Sequence, residues 1–179
     1  MTITIVPARY DEERAQRLVA ALGVDLDCRY GADALGQQPD PSEFAPPHGS
    51  FRLVAVDGAT VACGGVRRMP YPVPAGVTTT DSGRIAELKR MFVADSHRGR
   101  GLSRLLLGAL ESFCVDAGYL ELWLETGTAQ PEARRLYASA GYEPIAPYGE
   151  YRDYPDSRCY AKVLPESGGA TPSSRAPLS

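Results

Sequence analysis

The sequence predicts a single mixed α/β domain over residues 1–164, in which strands and amphipathic helices alternate. Three observations lead to this prediction. The chain has 179 residues, about the length of one domain. Residues 51–66 have the pattern of a β-hairpin, and residues 84–125 have that of a strand, a helix and a strand. The composition, 44% hydrophobic and 23% charged, is that of a chain able to form a core.

The first elements are a strand and a helix. Ile3 and Ile5, followed by Pro7, indicate a short strand. The residues after it repeat at the spacing of one helix face, at Ala15, Leu18, Val19 and Leu22. Residues 39–49 carry four prolines, and we expect them to form an exposed loop.

The hairpin is centred on Asp57-Gly58, a dipeptide suited to a two-residue turn between two strands. A second proline-rich connection follows at residues 69–83. The segment from Arg84 to Val93 is typical of a strand of mixed polarity.

The strongest helix signal begins at Leu102. Apolar residues follow one helical face at positions 102, 105, 106, 109, 110, 113, 114 and 117, and Gly118 is a typical C-terminal residue. A strand (YLELWLE) comes next, and Pro131 then starts a short helix whose predicted buried stripe is Ala133, Leu136, Tyr137 and Ala140. Residues 142–145 and 158–164 are the last predicted strands, and we expect the tail, 165–179, to be disordered.

Composition excludes several classes of protein. A net charge of −3 and a sequence pI of about 5.4 disfavour nucleic-acid binding. The longest apolar runs are too short to cross a membrane, and the N-terminus does not resemble a secretory signal, so we expect a cytoplasmic protein with no membrane partner. The cysteines at 28, 63, 114 and 159 are scattered, which favours reduced structural thiols and no metal site.

The segment between strand and helix is the most informative. Gly99 and Gly101 in HRGRG allow backbone N–H groups to face one concavity at a helix start, which suits a phosphate. Residues 81–104 carry six Arg or Lys against three acids. The alternative is a tight turn with solvated arginines. A P-loop motif is absent, and a dinucleotide fingerprint would need glycine in place of Arg104, although Glu121 has the spacing for one.

Two motifs are similar to those of the GNAT N-acetyltransferase superfamily. VADSHRGRGLSRLLL resembles its pyrophosphate-binding motif, Q/R-x-x-G-x-G/A, and ARRLYASAGYEPI resembles its later A-x-x-L-Y-x-x-x-G-F/Y motif. The resemblance extends from about Ile3 to Leu164. It implies a largely antiparallel sheet with helices on both faces, splayed between strands 84–93 and 120–125, with acetyl-CoA in the split.

The resemblance also implies cofactor-binding residues. The pyrophosphate would bind backbone groups of Arg98, Gly99, Arg100, Gly101, Leu102 and Ser103, and the pantetheine arm would pair with Met91, Phe92 and Val93. Ser103 stands where the family usually has glycine or alanine. Gln130 stands where the family commonly has asparagine, and is a further candidate for contact with the cofactor.

Tyr137 lies at the family's tyrosine position, and its phenol is a candidate donor of a proton to the departing thiolate. Its alternative role is that of a core aromatic. Glu87, on the strand before the cofactor loop, is the candidate base that deprotonates the amine. Its alternative is an ion pair with Lys89 or an arginine.

The acceptor site is less readable. Glu125 and Thr126 end a strand beside the split and are candidates to line it, or to bind loop amides. Tyr148, Tyr151 and Tyr154 with Arg152 form either a lip over the acceptor or a protein interface. Acidic Glu87 and Glu125 suit a cationic amine, whereas Arg84 and Arg152 suit an acceptor that also carries a carboxylate.

The sequence therefore predicts transfer of an acetyl group from acetyl-CoA to a primary amine of a small molecule, by direct attack in a ternary complex. An acetyl-cysteine route is less attractive because Cys114 is on the predicted buried helix face. Three alternatives stay open: a protein or peptide N-acetyltransferase, a non-catalytic acyl-CoA-sensing module, and a dinucleotide-binding protein. The resemblance leaves room for a homodimer.

Overall fold

The computed structural model describes residues 1–73 and 82–166. Within them, three α-helices accompany one seven-stranded sheet. The strands are β1 (Ile3–Ala8), β2 (Ser50–Val56), β3 (Ala59–Arg68), β4 (Ile85–Val93), β5 (Glu121–Gly127), β6 (Glu143–Ile145) and β7 (Ser157–Val163). The helices are α1 (Glu13–Tyr30), α2 (Leu102–Asp116) and α3 (Pro131–Ser139).

The strand order is β1-β2-β3-β4-β5-β7-β6, and every neighbouring pair is antiparallel except β4 and β5. The largely antiparallel sheet is therefore confirmed. So is the hairpin, since Asp57 and Gly58 join β2 to β3 with φ angles of 48° and 86°. Both angles are positive, which is the conformation a two-residue hairpin turn requires.

The parallel pair β4–β5 is short. It begins at Ile85 opposite Glu121 and ends at Leu88 opposite Leu124, although β4 continues to Val93 and β5 to Gly127. The two strands therefore part in the middle of the sheet, which confirms the predicted splay.

A bulge in β4 bends the strand beside this split. The β3–β4 register shifts between Cys63 and Gly65, and Arg90 adopts a left-handed φ of 61°. The Arg90 guanidinium donates hydrogen bonds to the carbonyls of Leu35 and Gln37, both at 2.8 Å. The bulge thereby ties β4 to the segment that follows α1.

Helices pack on both faces of the sheet. Successive residues of a strand point to opposite faces, so Leu53 joins the core under α1 while Val54 joins the core under α2. Half-buried residues of α3 pack on the same core as α2. None of the described helices has both the length and the apolar character needed to cross a bilayer.

Two sequence predictions need correction. Residues 39–49 are not wholly exposed: Phe44 is 2% exposed and packs on Tyr10 and Phe51, with ring centroids 5.0 and 5.6 Å away. In α2 the buried stripe includes Leu107, whereas Leu105 is 48% exposed. Much of the connection at 69–83 and most of the tail at 165–179 lie outside the described residues.

Candidate active site

Two adjoining cavities lie at the split between β4 and β5. The smaller, of about 200 Å³, is formed by the end of β4, the loop after it and the start of α2. The larger, of about 810 Å³, is formed by β4, β5 and the segments around residues 33–40 and 150–157. Five residues line both cavities and so mark the junction between them: Leu22, Met91, Gln130, Ala133 and Tyr137.

The smaller cavity gathers nearly all the predicted cofactor-binding residues. Arg100 is the exception: it is exposed and its guanidinium donates to the carbonyl of Ser96 at 3.2 Å. The residues that do line the cavity are Met91, Phe92, Val93, Arg98, Gly99, Gly101, Leu102, Ser103 and Gln130.

Two glycines open this cavity to an anion. Gly99 and Gly101 have φ angles of 75° and 76°, and no other atom lies within 4 Å of the position that a Cβ would take on either. Gly101 precedes the first turn of α2, which no side chain caps. Amides at a helix start and the helix dipole favour negative charge, so the loop fits a pyrophosphate.

The Arg98 guanidinium is held by the protein itself. It pairs with Asp25 at 3.3 Å and with Asp95 at 2.9 Å, and it donates to the carbonyl of Val93 at 3.0 Å. Its positive charge is therefore shared with two carboxylates, and the loop offers a phosphate mainly its backbone.

Gln130 stands at the turn between β5 and α3. Its Oε1 accepts hydrogen bonds from the Thr126 hydroxyl and the Gly127 amide, both at 3.2 Å. Among the described residues its Nε2 has no partner, and because the side chain borders both cavities, this donor is available to a ligand.

Tyr137 occupies the junction of the two cavities with 5% of its surface exposed. Its ring packs edge-on against Tyr142, with centroids 5.7 Å apart, while its hydroxyl has no hydrogen-bond partner in the described part of the chain. Burial, and to a smaller extent the charge of Glu125, raises the pKa of Tyr137. The phenol is thus neutral at pH 7 and can donate its proton.

Glu87 is fully buried and lines neither cavity. Its Oε2 accepts from Arg67 Nε at 2.8 Å, and its Oε1 accepts from the hydroxyls of Tyr148 and Tyr151 at 3.2 and 3.4 Å. This arrangement is the ion pair with an arginine, which was the alternative to a base. The catalytic role of Glu87 stays a prediction.

A second glutamate does line the larger cavity. Glu125 is the first residue of β5 beyond its pairing with β4, and its Oε1 accepts a hydrogen bond from the Ser157 hydroxyl at 2.7 Å. Burial raises the pKa of Glu125 above that of an ordinary carboxyl group. A carboxylate with a raised pKa at a cavity wall is suited to accept a proton.

Lys89 is the first residue of β4 beyond its pairing with β5, and it borders the same cavity as Glu125. Its ammonium donates a hydrogen bond to the Tyr151 hydroxyl, and burial lowers its pKa. Sequence reasoning considered this lysine only as a partner for Glu87. Its place depends on the register of β4 against β5, which no local pattern reveals.

The tyrosine-rich loop divides between core and cavity. Tyr148 is buried against Trp123, whereas Tyr154 is 62% exposed and borders the larger cavity with Tyr151. Arg152 is exposed and does not border the cavity. Arg84 also lies elsewhere, where its Nε donates to the carbonyl of Gly118 at 2.9 Å.

Groups able to bind a metal are not found among residues 1–73 and 82–166, and the four cysteines are free thiols. Burial raises the pKa of Cys63 and of Cys114 to about 12. Neither thiol lines a cavity, and both are protonated at neutral pH.

Comparison with known proteins relates this chain to one family. Residues 12–142 match the model of the Acetyltransferase (GNAT) family. The IAA acetyltransferase of Azospirillum brasilense is 31% identical over 157 residues, which are 86% of this chain and 95% of that protein. A putative acyl-CoA N-acyltransferase structure from Klebsiella pneumoniae has a TM-score of 0.71 at 24% identity, covering 91% of this chain and 98% of its own. A putative acetyltransferase from Salmonella typhimurium, solved with its cofactor acetyl-CoA, has a TM-score of 0.65 at 14% identity, covering 93% of this chain and 96% of its own.

Proposed function

Because the chain belongs to the acetyltransferase (GNAT) family, whose cofactor is acetyl-CoA, we propose that it acetylates a primary amine of a small molecule by direct attack in a ternary complex. The observation that carries this proposal is the junction at Tyr137, where a cavity shaped for a phosphate-bearing cofactor opens into a larger cavity. One cavity takes the donor and the other takes the acceptor.

The residues of the smaller cavity fit acetyl-CoA, which supplies an activated acetyl thioester when bound. Backbone groups of residues 98–103 hold its pyrophosphate at the start of α2. Met91, Phe92 and Val93 lie on the part of β4 that no longer pairs with β5, so their backbone is available to the pantetheine arm.

Two side chains of the larger cavity accept and donate protons in this reaction. Glu125 accepts a proton from the acceptor's ammonium, since the free amine is the nucleophile. Tyr137 Oη donates its proton to the leaving sulfur. Glu87, buried against Arg67, acts as a positioning residue that holds the Tyr151 hydroxyl bound to Lys89.

The size of the larger cavity supports a small-molecule acceptor. Its volume of about 810 Å³ is in the range of small-molecule sites, roughly 300–1,000 Å³. Its walls include the end of α1, tied to the β5–α3 turn where Arg29 donates to the carbonyl of Ala129 at 2.7 Å. A protein or peptide acceptor is the alternative, and competition by peptides would reveal it.

Calorimetric titration with acetyl-CoA, with NAD as the control, is the first test, followed by measurement of thiol released on adding a library of amines. We expect binding of acetyl-CoA without binding of NAD, and thiol release with at least one small amine. Tight binding without turnover of any amine or peptide would favour the acyl-CoA-sensing module. Preference for NAD would favour the dinucleotide-binding alternative. A cytoplasmic location and a homodimer stay predictions.

A further inference from the structure

We propose that the acceptor is a zwitterion, an α-amino acid or a close analogue, whose ammonium is bound by Glu125 and whose carboxylate is bound by Lys89. This inference rests on the proposed function and adds to it the chemical class of the substrate. Lys89 takes the role of binding a carboxylate that the sequence suggested for Arg84 and Arg152, because neither arginine lines the larger cavity.

Lys89 and Glu125 occupy equivalent places on the two sides of the split. The last parallel pair is Leu88 with Leu124, so each is the first residue of its strand beyond the pairing. Both line the larger cavity and neither lines the smaller one, which binds the cofactor. The two opposite charges therefore stand on the acceptor side, at the point where the strands begin to separate.

Lys89 differs from the other cations of this cavity. Arg67 is paired with Glu43 at 2.5 Å and with Glu87 at 2.7 Å. Arg29 is likewise paired with Asp25 and Glu132. Arg90 has no ion pair among the described residues, but its two terminal nitrogens donate to the carbonyls of Leu35 and Gln37, and its Nε is buried away from the cavity. The Lys89 ammonium has only the Tyr151 hydroxyl as a hydrogen-bond partner in the described part of the chain. The charge of Glu87 favours the ammonium form, but no carboxylate among the described residues forms an ion pair with Lys89, so the ammonium can still bind a carboxylate in the cavity.

Glu125 is equally unpaired. Among the described residues, the hydrogen-bond partner of its carboxylate is a neutral hydroxyl, that of Ser157. No nitrogen of Lys89 lies within 4.0 Å of its carboxylate, yet each group shifts the pKa of the other toward the charged form. The two line the same cavity without forming an ion pair, and burial opposes both charges. A ligand with an ammonium and a carboxylate attached to the same carbon atom would relieve both penalties at once.

This placement also suits the reaction. An ammonium bound at Glu125 shares the larger cavity with Tyr137, since both side chains line it. The new N–C bond replaces the C–S bond of the thioester. The ammonium loses two protons in the reaction. One passes to Glu125 and then to water. The other makes up, in the overall balance, for the proton that Tyr137 gives to the sulfur. The product is a neutral amide, which keeps its carboxylate but no longer binds Glu125 as a cation.

The test measures thiol release with each of a panel of L-amino acids, with its carboxamide, and with the amine that lacks the carboxyl group. For the wild-type protein we expect kcat/KM for the best amino acid to exceed that for its carboxamide by about tenfold or more, because a charge-assisted contact is lost. In Lys89→Met we expect this ratio to fall to about one, and in Lys89→Arg to be partly restored.

Lys162→Met is the matched control. Lys162 is the other lysine of the chain, it binds Glu111 at 2.9 Å and it lines neither cavity, so the ratio should be unchanged. Unchanged affinity of Lys89→Met for acetyl-CoA shows that this variant is folded.

Three outcomes would overturn the proposal: equal turnover of acid and carboxamide by the wild type, a preference that survives in Lys89→Met, or acetylation of Lys89 itself in the intact protein. The first two leave the acetyltransferase function standing. Binding of acetyl-CoA with no turnover of any amine would remove the proposed function and the zwitterion together.

Discussion

The Tyr137 hydroxyl borders both cavities and, like Nε2 of Gln130, has no hydrogen-bond partner among the described residues. We predict that Tyr137→Phe lowers kcat by about 10²-fold, the usual size of one proton-transfer contribution, and leaves the Kd for acetyl-CoA within about twofold. Steady-state thiol release and calorimetry measure the two quantities. Unchanged turnover would assign Tyr137 to the core, where its contact with Tyr142 already places its ring.

The pH dependence of kcat/KM distinguishes Glu125 from Glu87 as the base. Because burial raises the pKa of Glu125, kcat/KM should fall as pH decreases through a value above that of an ordinary carboxyl group. Glu125→Gln should lower kcat/KM by about 10²-fold and remove this acidic limb. Glu87→Gln should keep the limb, since its carboxylate is bound by Arg67 and faces no cavity. If the acidic limb were lost in Glu87→Gln but kept in Glu125→Gln, Glu87 would be the base.

The residues that carry the site were predictable to different degrees. The loop 98–103 and Tyr137 belong to contiguous motifs, so their chemistry was visible in the sequence. The partner of Glu87 was not, because Arg67 comes opposite it only through the β3–β4 register. Lys89 and Glu125 likewise line one cavity only because β4 and β5 separate just after Leu88 and Leu124.

At the scale of elements, α2 offers a matched pair of glycines. Gly101 precedes the helix with a φ of 76°, whereas Gly108 lies inside it, and neither has another atom within 4 Å of the position of a Cβ. Gly101→Ala should cost about 1–2 kcal/mol of stability through backbone strain and weaken acetyl-CoA binding. Gly108→Ala should stabilise the protein by about 0.5–1 kcal/mol and leave binding unchanged. Thermal melts and calorimetry of both variants check this, and equal effects would contradict it.

The elements themselves were largely predictable because their signals are local. Asp57-Gly58 specifies the hairpin, and Gly118 and Gly141 adopt positive φ angles just beyond α2 and α3. Burial within loops was less predictable. Phe44 lies among prolines but is buried because Tyr10, in the turn before α1, and Phe51, on β2, come from distant parts of the chain to cover it. Likewise, Leu107 rather than Leu105 faces the core.

At the scale of the whole molecule, two ion pairs that share Arg67 join β3, β4 and the turn Pro41–Phe44. Arg67 bridges Glu87 and Glu43. We predict that Arg67→Met lowers the free energy of unfolding by about 3–5 kcal/mol, because it leaves the Glu87 carboxylate buried without its counterion.

The double variant Arg67→Met/Glu87→Gln should recover part of this loss, since a neutral amide then replaces the stranded Glu87 carboxylate beside the Tyr148 and Tyr151 hydroxyls. Chemical denaturation of the wild type, the single variant and the double variant measures both effects. A double variant less stable than Arg67→Met would show that lost packing, not the stranded charge, is the main cost.

The separation of β4 from β5 places an unfinished strand edge in the middle of the sheet. Beyond Leu88 one side of β4 has no strand opposite it, so its amide and carbonyl groups there depend on side chains, as the Val93 carbonyl does on Arg98, or on water or a ligand. The amides of a pantetheine arm would form hydrogen bonds with these groups in place of a neighbouring strand. The thermal stability of the protein would then follow the concentration of acetyl-CoA, rising by about 2.7 kcal/mol at a hundred times Kd. In a cell, the supply of acetyl-CoA would therefore govern how long the protein survives as well as how fast it works.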